Sequence, residues 1–273
     1  MQPALENIID LTSKTAIVTG GAMGIGEAIA YRLAEAGANV VIADMNEAAA
    51  EEAAAKFKTK GWKSISVQTD VSDQPQVERM VEVATEAYGG LDILVNNAGI
   101  YPNVPVMELS EESFEHILSV NLKGVFLCTK ACAAQMIKQG KGGKIINITS
   151  IDAVHPSMAG LAAYDASKHG VWGFTKNIAL EFAPHKIWVN AIAPGAVNTP
   201  GTGVGTPIGK ELEEIMKLFL AKIPMKRMGE PDDIGRVALF LASDFSSYMT
   251  GSQIVVDGGV LLSEVPDGSI CKT

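Results

Sequence analysis

Tyr164 and Lys168 stand four residues apart in Tyr164-Asp165-Ala166-Ser167-Lys168, near the start of the helical run Ala162–Phe182. Residues at i and i+4 share one helix face, so the ammonium can approach the phenol. A free tyrosine titrates at about 10 and is a poor proton acceptor at neutral pH. Bringing it to about 7 takes roughly 4 kcal/mol of phenolate stabilisation, part of which a neighbouring cation can supply. Such a pair, with the hydroxyl of Ser150 on the same oxygen, could move a proton to or from a carbinol. Tyr-x-x-x-Lys also arises by chance, and a solvated surface pair is the plain reading of it in isolation.

A second constellation could hold an anion. Thr19-Gly20-Gly21-Ala22-Met23-Gly24-Ile25-Gly26 follows the β-branched run Ala16–Thr19 and opens the helical pattern Gly24–Ala36. In a strand–turn–helix context, glycine allows the turn and removes Cβ near a pyrophosphate, and the helix N-terminus stabilises its charge. Gly20, Gly24 and Gly26, with Met23 and Ile25 between them, therefore read as a dinucleotide loop. A tight turn alone would also use these glycines, whose spacing departs from G-x-G-x-x-G. Asp44 closes the next strand pattern, 18 residues beyond Gly26, where a carboxylate can accept from an adenosine ribose. A 2′-phosphate there would meet about 4 kcal/mol of repulsion per like-charge pair at about 4 Å. No Arg or Lys lies within Gly20–Gly26, so NAD is expected over NADP, and its nicotinamide cation would add to the effect of Lys168 on Tyr164. Asp44 can equally cap the helix from Asn46 onward. Asp70 and Val71 end the third strand pattern, where they could line the adenine or simply form a turn.

The ordered set Thr19-Gly20-x-x-x-Gly24-x-Gly26, Asn96-Asn97-Ala98-Gly99, Asn121, Ser150, Tyr164-x-x-x-Lys168 and Pro194-Gly195-x-x-x-Thr199 resembles the short-chain dehydrogenase/reductase superfamily across nearly the whole chain. The resemblance implies that Tyr164 is the general acid/base, that Ser150 holds the substrate oxygen, and that Lys168 binds the nicotinamide ribose and depresses the Tyr164 pKa. It further implies that Asn121 anchors a proton-relay water, that Asn97, Ala98 and Gly99 flank the cofactor, and that Pro194, Gly195, Val197 and Thr199 lie along it, Val197 and Thr199 at the carboxamide. Ser150 and Tyr164 are 14 residues apart, one more than the family's commonest spacing, so the loop between them is expected to be locally rearranged. Thr149 is the neighbour that could be mistaken for Ser150.

These residues need a frame. Seven β-branched runs, Ala16–Thr19, Val40–Ala43, Ile65–Thr69, Ile93–Asn96, Lys144–Ile148, Trp188–Ala193 and Ile254–Val256, alternate with helical patterns such as Ala48–Lys60. Alternation of this kind means right-handed crossovers, hence an α/β fold: a Rossmann-type doubly wound parallel seven-stranded sheet with helices on both faces. One domain over residues 1–273 is expected. Pro194–Gly209 holds three Pro and five Gly and cannot be regular; after it Leu212, Ile215, Met216, Phe219 and Leu220 fall at helical spacing. That pattern predicts either a packed surface helix or a mobile substrate lid at about 195–225.

With 47% hydrophobic and 19% charged residues the chain is not of the disordered class. At this size it buries roughly 70–75% of its extended surface and needs no disulfide or metal staple. The net charge of −9 argues against nucleic acid. Three cysteines without C-x-x-C fit a reducing cytoplasm. Neither secretion nor a membrane span is expected from the first residues or from any unbroken apolar stretch. Four histidines without paired spacing make a metal unexpected.

The expected partner is a small-molecule alcohol or ketone of the sugar, polyol or cyclic alcohol class. Candidate pocket residues are Tyr101, Ile151, Asp152, His155 and Met158, with Leu212, Met216 and Phe219 of the expected lid; Asp152 and His155 could bind a polar substrate or be simply solvated. Two alternatives stand beside this reading: an NADPH-dependent 3-oxoacyl-carrier-protein reductase, which Asp44 and the negative charge oppose, and a non-enzymatic NAD-sensing module, which has no need of the four-residue constellation. The family resemblance also implies a homotetramer.

Overall fold

The computed structural model describes residues 4–200, 217 and 219–263. Its seven strands are β1 (Thr15–Thr19), β2 (Asn39–Asp44), β3 (Ser64–Gln68), β4 (Ile93–Asn96), β5 (Gly143–Ile148), β6 (Ile187–Pro194) and β7 (Gln253–Val256). No strand boundary departs from the sequence expectation by more than one residue. All pair in parallel, in the order β3-β2-β1-β4-β5-β6-β7. The helices are α1 (Leu5–Ile9), α2 (Gly24–Glu35), α3 (Glu47–Thr59), α4 (Gln74–Tyr88), α5 (Glu111–Leu118), α6 (Gly124–Gln139), α7 (Ala162–Phe182) and α8 (Pro231–Ala242).

Side chains alternate across the pleat and feed two cores. Val18, Val40, Ile42 and Val95 meet α2, α3 and α8 on one face; Ile17, Val41, Leu94 and Ile145 meet α4, α6 and α7 on the other. Each buried aliphatic chain contributes about 1.5–3 kcal/mol relative to exposure. Both faces are covered, which is why the strands read as unbroken apolar runs rather than as alternating ones.

Strand order reverses between β1 and β4, so the loops after these two strands diverge to opposite faces and leave a crevice at their carboxyl ends. Helix caps show which termini are closed. Asn46, Asp73 and Ser110 cap α3, α4 and α5 with their side chains, whereas no side chain caps α2. The α3 cap is thus Asn46, which accepts from the Ala49 amide at 3.1 Å, rather than Asp44.

α5 runs through a π-turn, Ser119–Lys123, straight into α6. The whole run Glu111–Gln139, 29 residues, is long and apolar enough to cross a membrane by composition, and half of its most apolar window is buried inside the protein. Most of the expected lid, with Leu212, Ile215 and Met216, lies outside the described residues. Residues 219–222 are helical, and Phe219 is exposed.

Candidate active site

The glycine loop turns sharply between β1 and α2, with Gly20 at φ +60° and Gly24 at φ +58°. A Cβ on Gly26 would overlap the Gly20 carbonyl oxygen and stand 2.6 Å from Asn97 Nδ2, so the loop closes on the helix only with glycine there. Met23, extended and exposed, precedes α2 and leaves its first amides without a side-chain acceptor, while Ile25 packs on the core. Backbone stripped of Cβ atoms at an uncapped helix N-terminus fits a pyrophosphate.

The Asp44 carboxylate sits beside this loop, accepting from the Ala22 amide at 3.1 Å and the Asn46 amide at 3.0 Å. Asp70 is engaged in a turn: one carboxylate oxygen accepts from the Ser72 amide at 2.8 Å and its hydroxyl at 2.7 Å. Val71 beside it is buried, and a Cβ on Gly124 would stand 2.7 Å from Val71 Cγ2.

On the other side of the crevice, Asn97 Nδ2 donates to the carbonyls of Thr19 at 3.0 Å and Gly20 at 2.9 Å. The Thr19 hydroxyl accepts from the amides of Asn97 at 3.0 Å and Ala98 at 3.2 Å. Both amide protons of Asn97 are committed to the chain itself, so this residue shapes the loops rather than presenting a donor. Gly99 brings the backbone close to two other site residues: a Cβ there would lie 3.3 Å from Asn121 Oδ1 and 3.6 Å from Lys168 Nζ. Pro194 ends β6, the Gly195 amide donates to the Val256 carbonyl at 3.0 Å, and buried Val197 bridges to Gly229. Thr199 stands across the glycine loop, its Cβ 3.5 Å from where a Gly24 Cβ would be.

Tyr164, Ser150, Lys168 and Asn121 converge at the β4–β5 end of the same crevice. Asn121 lies in the π-turn, fully buried. It accepts from the Ile100 amide at 2.8 Å and donates to the Ile100 carbonyl at 2.8 Å and to the Ser167 hydroxyl at 3.1 Å. Both of its side-chain protons are thus taken by the chain itself. Lys168, also buried, donates to the Ile148 carbonyl at 2.9 Å and lies 5.5 Å from the Tyr164 ring centre. Burial pushes its ammonium down to about 8.

The expected lowering of Tyr164 does not arise from the chain's own groups. Burial pushes the phenol up, the Ser150 hydroxyl beside it pulls in the other direction, and Asp152, Asp165 and Tyr101 add to the rise. Ser150 and Thr149 are clearly separated. Thr149 turns into the sheet, donating to the Ile192 carbonyl at 2.8 Å, whereas Ser150 starts the 3-10 turn Ile151–Ala153 on the Tyr164 side.

That turn absorbs the additional residue of the loop. Asp152 folds back to accept from Ser150 Oγ at 2.8 Å and from the Ser157 amide at 2.7 Å. Of the other pocket candidates, Ile151 is buried, Tyr101 meets the Tyr164 ring edge-on at 6.3 Å, and Met158 is exposed beside Asn103. His155 is exposed, with Nδ1 3.0 Å from the Pro156 carbonyl.

Three participants went unassigned in the sequence. Ser167 accepts from Asn121 and donates to the Tyr164 carbonyl at 2.6 Å; Thr19 joins the two loops; Ile148 offers a carbonyl to Lys168. Ser167 lies between Tyr164 and Lys168, and that position is its only signal. The other two act through contacts at long sequence separation, which spacing does not report.

Comparison with known proteins agrees with this geometry. The family model described as Enoyl-(Acyl carrier protein) reductase matches residues 20–261. A short chain dehydrogenase/reductase of Aspergillus oryzae, astE, is 44% identical over 259 residues, covering 94% of this chain and 98% of that protein. The diacetyl reductase [(S)-acetoin forming] of Staphylococcus epidermidis is 40% identical over 255 residues, covering 91% and 99%. The crystal structure of a short-chain type dehydrogenase/reductase from Mycobacterium marinum superposes with a TM-score of 0.88 at 37% identity, covering 94% of this chain and 99% of that one.

Proposed function

The chain belongs to the short-chain dehydrogenase/reductase family, an oxidoreductase family that uses a nicotinamide cofactor, and from that premise we propose that it interconverts a secondary alcohol and a ketone with NAD. The observation that carries the reading is the convergence of Tyr164, Ser150 and Lys168 beside a glycine loop whose helix lacks a side-chain cap. The cofactor, when bound, supplies or accepts the hydride. The chain supplies the rest: Tyr164 exchanges the proton at the substrate oxygen, Ser150 fixes that oxygen, Lys168 sits where it can bind a ribose and support a phenolate, and Asn121 with Gly99 holds the Ile100 loop against them. The uncapped α2 amides would hold the pyrophosphate. Asp44, with Asp70 and Val71 farther along the sheet edge, would face the adenosine.

Preference for NAD rests on Asp44, whose carboxylate lies beside the glycine loop and would repel a 2′-phosphate. Sugars, polyols and cyclic alcohols are the favoured substrates, since the pocket mouth combines Tyr101 with polar loop groups. The acetoin-forming relative adds α-hydroxy ketones to that class. The carrier-protein description of the family model favours a second reading, NADPH-dependent reduction of 3-oxoacyl groups, which the net charge of −9 and Asp44 oppose.

We further propose a single domain with a lid at about 195–225, assembled as a homotetramer; a monomer in sedimentation at micromolar concentration would refute the assembly. Buried thiols at Cys128 and Cys132 support a reducing cytoplasm. A screen following NADH absorbance over 2,3-butanediol, cyclohexanol, polyols, sugars, hydroxy acids and their ketones tests the activity. Turnover of a secondary alcohol with NAD is expected; better kcat/KM with NADP would overturn the cofactor assignment.

A further inference from the structure

We propose, on the reading just given, that Asp233 is a positioning residue for the nicotinamide half of the cofactor: with Arg227 it clasps Gly229, and through Gly229 it sets the loop after β6, residues 196–199, against the glycine loop. Sheet order gives that loop its place. Asp44 ends β2, the glycine loop follows β1, and Ser150 follows β5, beside which β6 pairs. The reacting end of a cofactor has to lie at Tyr164 and Ser150, on the β5 side of the glycine loop, and there the chain leaving β6 is the facing wall.

The wall hangs on Gly229. The Gly229 amide donates to the Ala196 carbonyl at 2.9 Å and the Asn198 amide donates to the Gly229 carbonyl at 2.8 Å, a two-bond parallel bridge around buried Val197. A Cβ on Gly229 would stand 3.4 Å from Val197 Cγ2 and 3.8 Å from Asp233 Oδ2, so Gly229 is packed between the loop and the carboxylate. Beyond the bridge the loop brings Thr199 across from Gly24.

Asp233, partly buried, holds the residues on both sides of Gly229. Arg227 Nη1 donates to Asp233 Oδ2 at 2.7 Å and to the Met228 carbonyl at 2.9 Å, its Nη2 donates to Oδ1 at 3.3 Å, and the Glu230 amide donates to Oδ2 at 2.8 Å. Arg236 Nη2 adds a donor to Oδ1 at 2.7 Å. Isolated surface ion pairs fix little, whereas a forked guanidinium within such a network does. Lys226, just before the clasp, has φ +55°, a left-handed conformation held by contacts rather than by backbone preference. The neighbouring carboxylate anchors the clasp to the glycine loop. Asp232 Oδ2 accepts from Arg32 Nη2 of α2 at 2.7 Å, and a Cβ on Gly235 would stand 2.8 Å from the Ala28 carbonyl oxygen, so α8 lies hard against α2. Consecutive carboxylates of α8 therefore join the two walls of the cofactor site, Asp232 at the pyrophosphate helix and Asp233 at the loop after β6.

The test compares NADH with ADP-ribose, which lacks the nicotinamide, by titration calorimetry on the full chain. In Asp233→Asn the side-chain oxygen can keep the Glu230 amide while the charge facing Arg227 is lost. NADH affinity should fall about fivefold, the upper end for an ion pair near the surface, with ADP-ribose affinity unchanged within about 1.5-fold. Arg227→Met should give the same selective loss. Combining the two should add little, because both remove one contact.

Equal weakening of both ligands would reduce the Arg227–Asp233 pair to a general structural role, and unchanged affinity for both would mean that the loop is held without it; either result overturns the proposal. If Asp233→Asn does not fold, as judged by melting temperature, Arg227→Met decides alone, since it removes an exposed side chain. The wild-type chain separates this inference from the reading beneath it. Binding of neither ligand would bring down the cofactor reading itself. Equal affinity for the two would give the loop no part in holding the ring and overturn the proposal, whereas tighter binding of NADH together with an unselective Asp233→Asn overturns Asp233 alone.

Discussion

Lys168 holds its ammonium 5.5 Å from the centre of the Tyr164 ring while donating to the Ile148 carbonyl. The i, i+4 geometry brings the two together, and burial then works on both in opposite senses: the phenol is pushed up and the ammonium down to about 8. Their proton inventory is set by the surroundings as much as by each other.

Lys168 has a pH signature in stability. Its folded value, about 8, lies below its ordinary 10.5, so the fold favours the neutral amine. Below pH 8 both states carry the proton and the fold bears the cost of burying it; between 8 and 10.5 only the unfolded chain does, and the contribution of this lysine to stability rises with pH by about 3 kcal/mol, against an opposite contribution above pH 9 from the buried Cys128 and Cys132 thiols, which burial raises. Lys168→Met should abolish this rise in urea unfolding across that window and lower kcat/KM at least a hundredfold. A slope unchanged by the substitution would refute the assignment.

Tyr164→Phe removes the proton donor while leaving the ring against Tyr101. Turnover should fall by at least a thousandfold, with NADH affinity, read by fluorescence quenching, within about twofold. Substantial residual turnover would move the acid/base role elsewhere.

Asp44→Asn removes the charge beside the glycine loop but keeps an acceptor for only one of the two amides, those of Ala22 and Asn46. NAD affinity should weaken modestly, and the ratio of kcat/KM with NADP to that with NAD should rise at least tenfold. A constant ratio would show that something other than Asp44 sets cofactor choice.

Gly26→Ala and Gly61→Ala form a matched pair. The first places a methyl group on the Gly20 carbonyl and near Asn97 Nδ2. It should lose cofactor binding and more than about 3 kcal/mol of stability, the upper end of ordinary overpacking. Gly61, at φ +81° with open space around it, should cost about 1 kcal/mol of backbone strain and leave NADH binding intact. Equal melting temperatures for the two variants would contradict the packing at Gly26.

The frame was legible because its causes are short-range. β-branched runs such as Val40–Ala43 and Lys144–Ile148 and the helical patterns between them recur at periods that backbone geometry imposes, and the structure carries them at nearly the expected boundaries. The π-turn at Asn121 had no comparable signal. Its bulge is held by the side chain's paired hydrogen bonds to Ile100, a contact across 21 residues.

The same division runs through the site. The sequence by itself determined which residue types stand at strand ends and on one helix face: the glycines after β1, Asp44 after β2, and Tyr164 and Lys168 one turn apart. Only the tertiary structure decided where their protons go. It commits the side-chain amide of Asn97 to backbone and that of Asn121 to the Ile100 carbonyl and the Ser167 hydroxyl, gives the Ser150 proton to Asp152, and raises Tyr164 by burial. Spacing sets direction along an element, whereas proton affinity follows from burial and from charges that distant segments bring within a few ångströms.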